Sequence, residues 1–113
     1  MANRAFFDSL RTLAFGGIGA AYAAVGSSFD NRVRGIRIIN NTDADLIFSD
    51  DSSDAAGKWF VPAFNFVLWD IQSNMNAQFD DKFVLPIGAQ IFVKESTTPT
   101  LGAIFIEALI EKP

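Results

Sequence analysis

"RVRGIRIINNTDADLIFSDD", residues 32 to 51, is the stretch whose reading decides the fold. Residues 32 to 40 alternate. Val33, Gly35, Arg37 and Ile39 fall on one side, and Arg34, Ile36 and Ile38 on the other. Both sides turn apolar toward the end, so the strand is expected to enter the core there. "NTDAD" (41 to 45) reads as a turn, because Asn and Asp side chains bond their own backbone and tolerate positive φ. "LIFS" (46 to 49) then returns as a strand. Residues 32 to 49 are therefore predicted to form a hairpin that sets Ile47 against Ile36 or Ile38. "DDSSDAAGK" (50 to 58) follows as a polar loop.

Outward from that stretch the chain continues as strand, turn, strand. "KWFVPAFNFVLWDI" (58 to 71) is interrupted by Pro62, and proline is confined to sheet edges and bulges, so the segment splits into "WFV" and "FNFVLWDI". In the second piece Phe64, Phe66, Leu68 and Asp70 share one face. "QSNMNAQFDD" (72 to 81) reads as a loop and "KFVLP" (82 to 86) as a short strand. "IGAQIFVKES" (87 to 96) aligns Ile87, Ala89, Ile91 and Val93. "AIFIEALIE" (103 to 111) places Ile104, Ile106, Ala108 and Ile110 opposite Phe105 and Leu109.

The N-terminal run "LAFGGIGAAYAAVG" (13 to 26) is the longest uncharged stretch. It is too short and too rich in Gly and Ala for a transmembrane helix. "AYA" at 21 to 23 resembles a signal-peptidase site, but Asp8 sits in the would-be basic region and Gly16, Gly17 and Gly19 break the apolar one. Two short strands joined at the glycines are the preferred reading. Residues 1 to 10 read as an apolar arm in which Phe6, Phe7 and Leu10 are spaced as one face of a single helical turn, docking on a neighbour or on their own domain. The expected fold is thus all-β: a single-domain antiparallel β-sandwich, jelly-roll-like, of about seven or eight short strands, with an arm over 1 to 10 and the sandwich over 11 to 113.

Composition narrows the function. A chain of 113 residues is one domain, and a small one gains from a partner subunit. Cysteine and histidine are absent, which removes disulfides, ordinary zinc sites and every Cys-His or Ser-His-Asp arrangement. No enzyme and no cofactor are expected. The net charge of -4 argues against a nucleic-acid binder, and Arg32, Arg34 and Arg37, the one local basic group, read as a solvated strand face. Phenylalanine, at 12 residues, suits pleated half-buried surfaces. Strands 64 to 71 and 103 to 111 are apolar on both faces, so the outer face is expected to be covered as well, by a neighbouring copy.

The acids are the candidate metal ligands. Asp50-x-Ser52-x-Asp54 begins like a calcium loop, but Ala55 stands where the glycine belongs and Val61 where the final Glu belongs. Asp50, Ser52 and Asp54, with Asp43, Asp45 and Asp51, stay as calcium candidates of another geometry; the preferred reading is a solvated turn and no metal. "NNT" at 40 to 42 matches a glycosylation acceptor within a turn. Trp59 and Trp69 as a sugar-stacking platform form the alternative reading, a calcium- or carbohydrate-binding module, with packing preferred. Phe6, Phe7, Leu10, Tyr22, Trp59 and Trp69 are the candidate interface residues.

The order of motifs resembles small virion proteins of tailed bacteriophages. Their pattern is an early Y-x-x-V-G, a central N-N-T-D-A leading to F-S, a V-P-A before an aromatic strand ending in Asp-Ile, and a late P-x-G-x-x-I-x-V-K. These fall at Tyr22 to Gly26, Asn40 to Ser49, Val61 to Ile71 and Pro86 to Lys94. The usual Asp-Gly after F-S is replaced by Asp50-Asp51-Ser52, which affects the loop shape. The resemblance implies a non-enzymatic particle component at the neck, tail or capsid surface, assembled in the host cytoplasm. Its implied partners are further copies of itself and capsid, portal or tail proteins, with no nucleic acid and no membrane.

Overall fold

The computed structural model describes residues 4–70 and 85–112. They form nine strands and a single 3-10 turn: β1 (Arg4–Phe7), β2 (Arg11–Ala14), the turn (Phe15–Gly17), β3 (Ala23–Ala24), β4 (Val33–Thr42), β5 (Leu46–Ser49), β6 (Trp59–Val61), β7 (Asn65–Asp70), β8 (Phe92–Glu95) and β9 (Gly102–Lys112). Two antiparallel sheets face each other. The larger runs β1–β9–β4–β7, with β2 also paired to β9; the smaller runs β3–β8–β5–β6. The expected all-β sandwich is what the chain forms. No helix among the described residues is long and apolar enough to cross a membrane.

Alternation builds the core. Ile104, Ile106, Ala108 and Ile110 of β9 are buried together with Ile36 and Ile38 of β4, and face Leu46, Phe48 and Val93 of the other sheet. Burying such side chains contributes about 1.5–3 kcal/mol each. The alternation predicted for β4 fails at its start. A β-bulge between Val33 and Gly35 inserts one residue, so Val33 is buried on the same side as Ile36 and Ile38.

The predicted 32 to 49 hairpin does not form. β4 lies in the larger sheet between β9 and β7, and β5 lies in the smaller sheet between β8 and β6. Ile47 accordingly pairs with Lys94 and Phe60, not with Ile36 or Ile38. The reason is a buried polar hub. Asn40 is fully buried, and its side-chain amide donates to the carbonyls of Ala44, Val61 and Pro62 at 2.8, 3.0 and 3.1 Å. Its oxygen accepts from the backbone N–H and the hydroxyl of Thr42 at 3.0 and 2.6 Å. The turn is thereby held under the end of β6, which carries the chain across to the second sheet. Asp43 and Asp45 complete the corner. The Asp43 carboxylate accepts from the N–H of Thr100 at 2.8 Å and from the Thr100 hydroxyl, and Asp45 accepts from the N–H of Ala63 at 3.0 Å. The crossings β4 to β5, β6 to β7 and β8 to β9 therefore pack on one another at one end of the sandwich.

The split at Pro62 is observed between β6 and β7, and these strands also lie in different sheets. Phe64 at that corner takes a positive φ of 57°, costly for a bulky residue. The glycine-rich segment forms β2, the 3-10 turn and β3, as two short strands. The predicted 72 to 81 loop and most of the 82 to 86 strand lie outside the described residues; Leu85 bridges Val33.

Candidate assembly interface

The outer face of the larger sheet is the principal candidate site. Strand register places its side chains in rows. Phe66, Ile39, Phe105 and Thr12 stand in one row; Leu68, Arg37 and Glu107 in the next; Gly35, Leu109 and Phe7 in the third. Phe66 is 57% exposed, Leu68 60% and Phe7 85%, so this face leaves large apolar groups in water. Two ion pairs cross it, Arg37 with Glu107 and Arg34 with Glu111. The Arg37 guanidinium also lies 6.0 Å from the centre of the Phe66 ring. Between Phe7, Leu109 and Leu68 the surface dips over Gly35 and Ala108 into a groove of about 240 Å³.

The arm candidates lie beside this face on a strand and the bulge after it, not on one helical turn, so Phe6 and Phe7 fall on opposite sides of the sheet. β1 pairs with the end of β9 (Phe7 opposite Leu109) and β2 with its beginning (Arg11 opposite Ile106). Four steps of chain on one side therefore span three on the other, a bulge in the edge of the sheet. Leu10 is exposed at that bulge, and a second hollow of about 220 Å³ lies among Phe7, Asp8, Leu10, Glu107 and Ala108.

The remaining candidates sit elsewhere. Tyr22 is half-buried on the smaller sheet. Its hydroxyl donates to the Asp54 carbonyl at 2.7 Å, its ring meets Phe92 edge-on at 6.5 Å, and the Lys94 ammonium lies 4.7 Å above it. Burial, then the negative charge of Asp54, pushes the Tyr22 phenol up from its ordinary value. Trp59 is half-buried and packs against the core. Trp69 lies opposite Ile36 in β7. The candidates thus divide between two regions: Phe6, Phe7 and Leu10 follow the edge at the larger sheet, and Tyr22 lies under the 50 to 58 loop.

The acids are engaged locally. Asp50 pairs with Lys58 at 2.7 Å, and Asp51 accepts from the N–H and the hydroxyl of Ser53 at 2.9 and 2.7 Å. Those contacts hold the Asp51 carboxyl below, and the Lys58 ammonium above, their usual ranges. Asp54 accepts from the N–H of Gly57 at 3.3 Å, and Ser52 is exposed. Among the described residues no three carboxylates gather where they could hold a metal ion.

Sequence reasoning recognised that β7 and β9 are apolar on both sides but missed Arg37, Glu107, Gly35 and Leu109 as members of one surface. Their alternation gave the face of each strand. The pairing of β4 with β9, which unites them, joins residues about 70 positions apart and has no local signal.

No family model matches the chain, and no curated protein matches it. Among solved structures, a chain of the cyanophage Pam1 capsid asymmetric unit is similar, at 16% sequence identity and a TM-score of 0.50, over 99% of this chain and 87% of that one. The likeness is one of fold along nearly the whole length.

Proposed function

We propose that the chain is a non-enzymatic structural component of a tailed-phage virion, working through protein–protein contacts in a homo-oligomeric assembly. The observation that carries this reading is the exposed apolar outer face of the larger sheet, with Phe66, Leu68 and Phe7 on it. The fold shared with a chain of a phage capsid asymmetric unit supports it, as does the order of the turn and strand motifs. Residues 1 to 10 act as an arm against neighbouring proteins of the particle, with Phe6, Phe7 and Leu10 as its contacts. Tyr22, Trp59 and Trp69 serve further contacts at the smaller sheet and along β7. The partners are further copies and capsid, portal or tail proteins, met during assembly in the host cytoplasm.

The test is binding. Purified protein is mixed with particles or capsid protein and its mass followed by light scattering, beside an F66D/L68D variant. The expected result is association that the variant loses. A wild-type chain that stays monomeric and binds no capsid, portal or tail protein would sink the reading.

A further inference from the structure

We infer that the outer face of the larger sheet is an isologous contact between two copies of this chain, on a two-fold axis that runs along the strands midway between β4 and β9. The inference rests on the reading of the chain as an assembly subunit and specifies which surface joins it to itself.

The register supplies the argument. A two-fold axis in that position places each outward residue of β4 over the residue that pairs with it on β9, but in the second copy. Arg37 pairs with Glu107, so each Arg37 faces Glu107 of the other copy, and the two ion pairs become a ring of four alternating charges. Leu109 pairs with Gly35, so each Leu109 side chain meets the position on the opposite sheet that has none, over the groove of about 240 Å³. Leu68 lies one strand outside Arg37. Its image falls one strand outside Glu107, where the β1–β2 bulge opens the hollow of about 220 Å³ beside Leu10. In these rows plus meets minus and each leucine meets a hollow under one operation, which also sets Phe7 over the Asp70 position at the end of β7.

Charge points to a second copy as the occupant. The chain carries -4 overall, so two copies repel over most of their surface. Along the central row of this face Arg37 and Glu107 cancel, and Leu68 beside them adds no charge. Sheets packed face to face cross at about 30° because of their twist, which tilts the axis about 15° from the strands and keeps the central row in register.

The test uses charge reversal at two half-exposed residues. R37E makes the face doubly negative, and E107R makes it doubly positive. Native mass spectrometry and sedimentation should show a wild-type dimer, each variant alone associating at least about tenfold more weakly, and an equimolar mixture forming the one-to-one heterodimer. An ion pair broken only within one chain is not repaired by mixing. L68D, which leaves Arg37 and Glu107 in place, should also leave a monomer with a wild-type circular dichroism spectrum. A monomeric wild type at tens of micromolar, a mixture that stays unassociated, or an L68D chain that dimerises like wild type overturns the contact. A monomer that still binds particles overturns the contact alone. A dimer of this kind that binds no particle protein supports the contact and counts against the virion reading.

Discussion

The guanidinium of Arg11 lies over the ring of Phe29, 3.9 Å from its centre, at the edge where the two sheets meet. Phe29 is fully buried and Arg11 nearly so. The arginine donates to the Ser27 carbonyl at 3.0 Å, to the Asp8 carboxylate at 2.9 Å, and to the carbonyls of Ser9 and Ser28 at 3.2 and 3.4 Å. One side chain thus ties the bulge that follows β1 to the 26 to 29 segment. Gly26 makes room for it: its φ is +71°, and a Cβ there would stand 2.7 Å from the Arg11 Cγ.

Arg11→Ala should therefore cost about 3 kcal/mol in urea unfolding, because the carboxylate and carbonyls lose a charged donor along with the stacking. Arg11→Lys should recover only part, since an ammonium cannot reproduce the planar fork. Hydrogen exchange should show β1 opening before the core in both variants. Equal protection of β1 in wild type and Arg11→Ala would show that the clamp does not hold it.

Asn40 should be the most sensitive polar position at the corner. Asn40→Ala strands the carbonyls of Ala44, Val61 and Pro62 without their donor and should cost roughly 2–4 kcal/mol. Asn40→Asp keeps the shape but turns an oxygen toward those carbonyls, and should be at least as damaging above pH 5 or so. Denaturant midpoints of the two variants compare them directly. An Asn40→Asp chain as stable as wild type would mean that the amide is not the hub.

Asn40 also marks how far the sequence could be read. The strands were legible because their core faces alternate, as in Ile104, Ile106, Ala108 and Ile110 of β9. The break at Pro62 was legible because proline interrupts a sheet ladder. The partner of each strand was not. "NNTDAD" carries turn chemistry that serves a hairpin and a corner between sheets equally well, and the choice depends on contacts from Asn40 to Val61 and from Asp43 to Thr100, far along the chain. The β4 bulge was hidden for a related reason: Arg34 fits an alternating strand until Gly35 must pair with Leu109. On the candidate surface, exposed Phe7 and Leu10 belonged to a recognisable apolar arm. The Arg37–Glu107 pair came only from the fold.

Two glycines should respond in opposite directions. Gly102 opens β9 at a φ of +90°, and a Cβ there would collide with the Asn41 carbonyl. Gly102→Ala should cost roughly 2–4 kcal/mol, since that neighbour is backbone and cannot yield cheaply. At Gly16 no atom lies within 4 Å of an added Cβ. Gly16→Ala should be neutral or stabilise by about 0.5 kcal/mol through the unfolded chain. Thermal melts of the pair give the comparison, and a destabilised Gly16→Ala would point to a contact at the 3-10 turn.

Acid should loosen the corner through Asp43. The Thr100 hydroxyl, then the Thr100 N–H, hold its carboxyl below the ordinary range. A depressed folded value means that the stability it contributes is complete above the unfolded value of about 4 and is lost as pH falls through the lower, folded value. Asp43→Asn should flatten stability against pH in that window by lowering the neutral plateau toward the acid value. An unchanged acid limb would assign the effect to other carboxylates.

Alkali should act at the opposite sheet, through Tyr22. Burial and then the charge of Asp54 raise its phenol, against a smaller opposing hydrogen bond from Ser49. A raised folded value means that the contribution is complete below the unfolded value of about 10 and is lost as pH rises through the higher, folded one. Ionisation also removes the proton that Tyr22 donates to the Asp54 carbonyl, so the 50 to 58 loop loses its tie to the sheet. Lys58, raised by its pair with Asp50, loses its charge in the same direction of pH, so the two effects add at one loop. Phenolate absorbance should therefore appear above the ordinary tyrosine range, together with faster hydrogen exchange in that loop. Tyr22→Phe should be less stable at neutral pH and should lose the tyrosine part of the alkaline step. Phenolate appearing at the ordinary value, with the loop unchanged, would show that Tyr22 is not held as described.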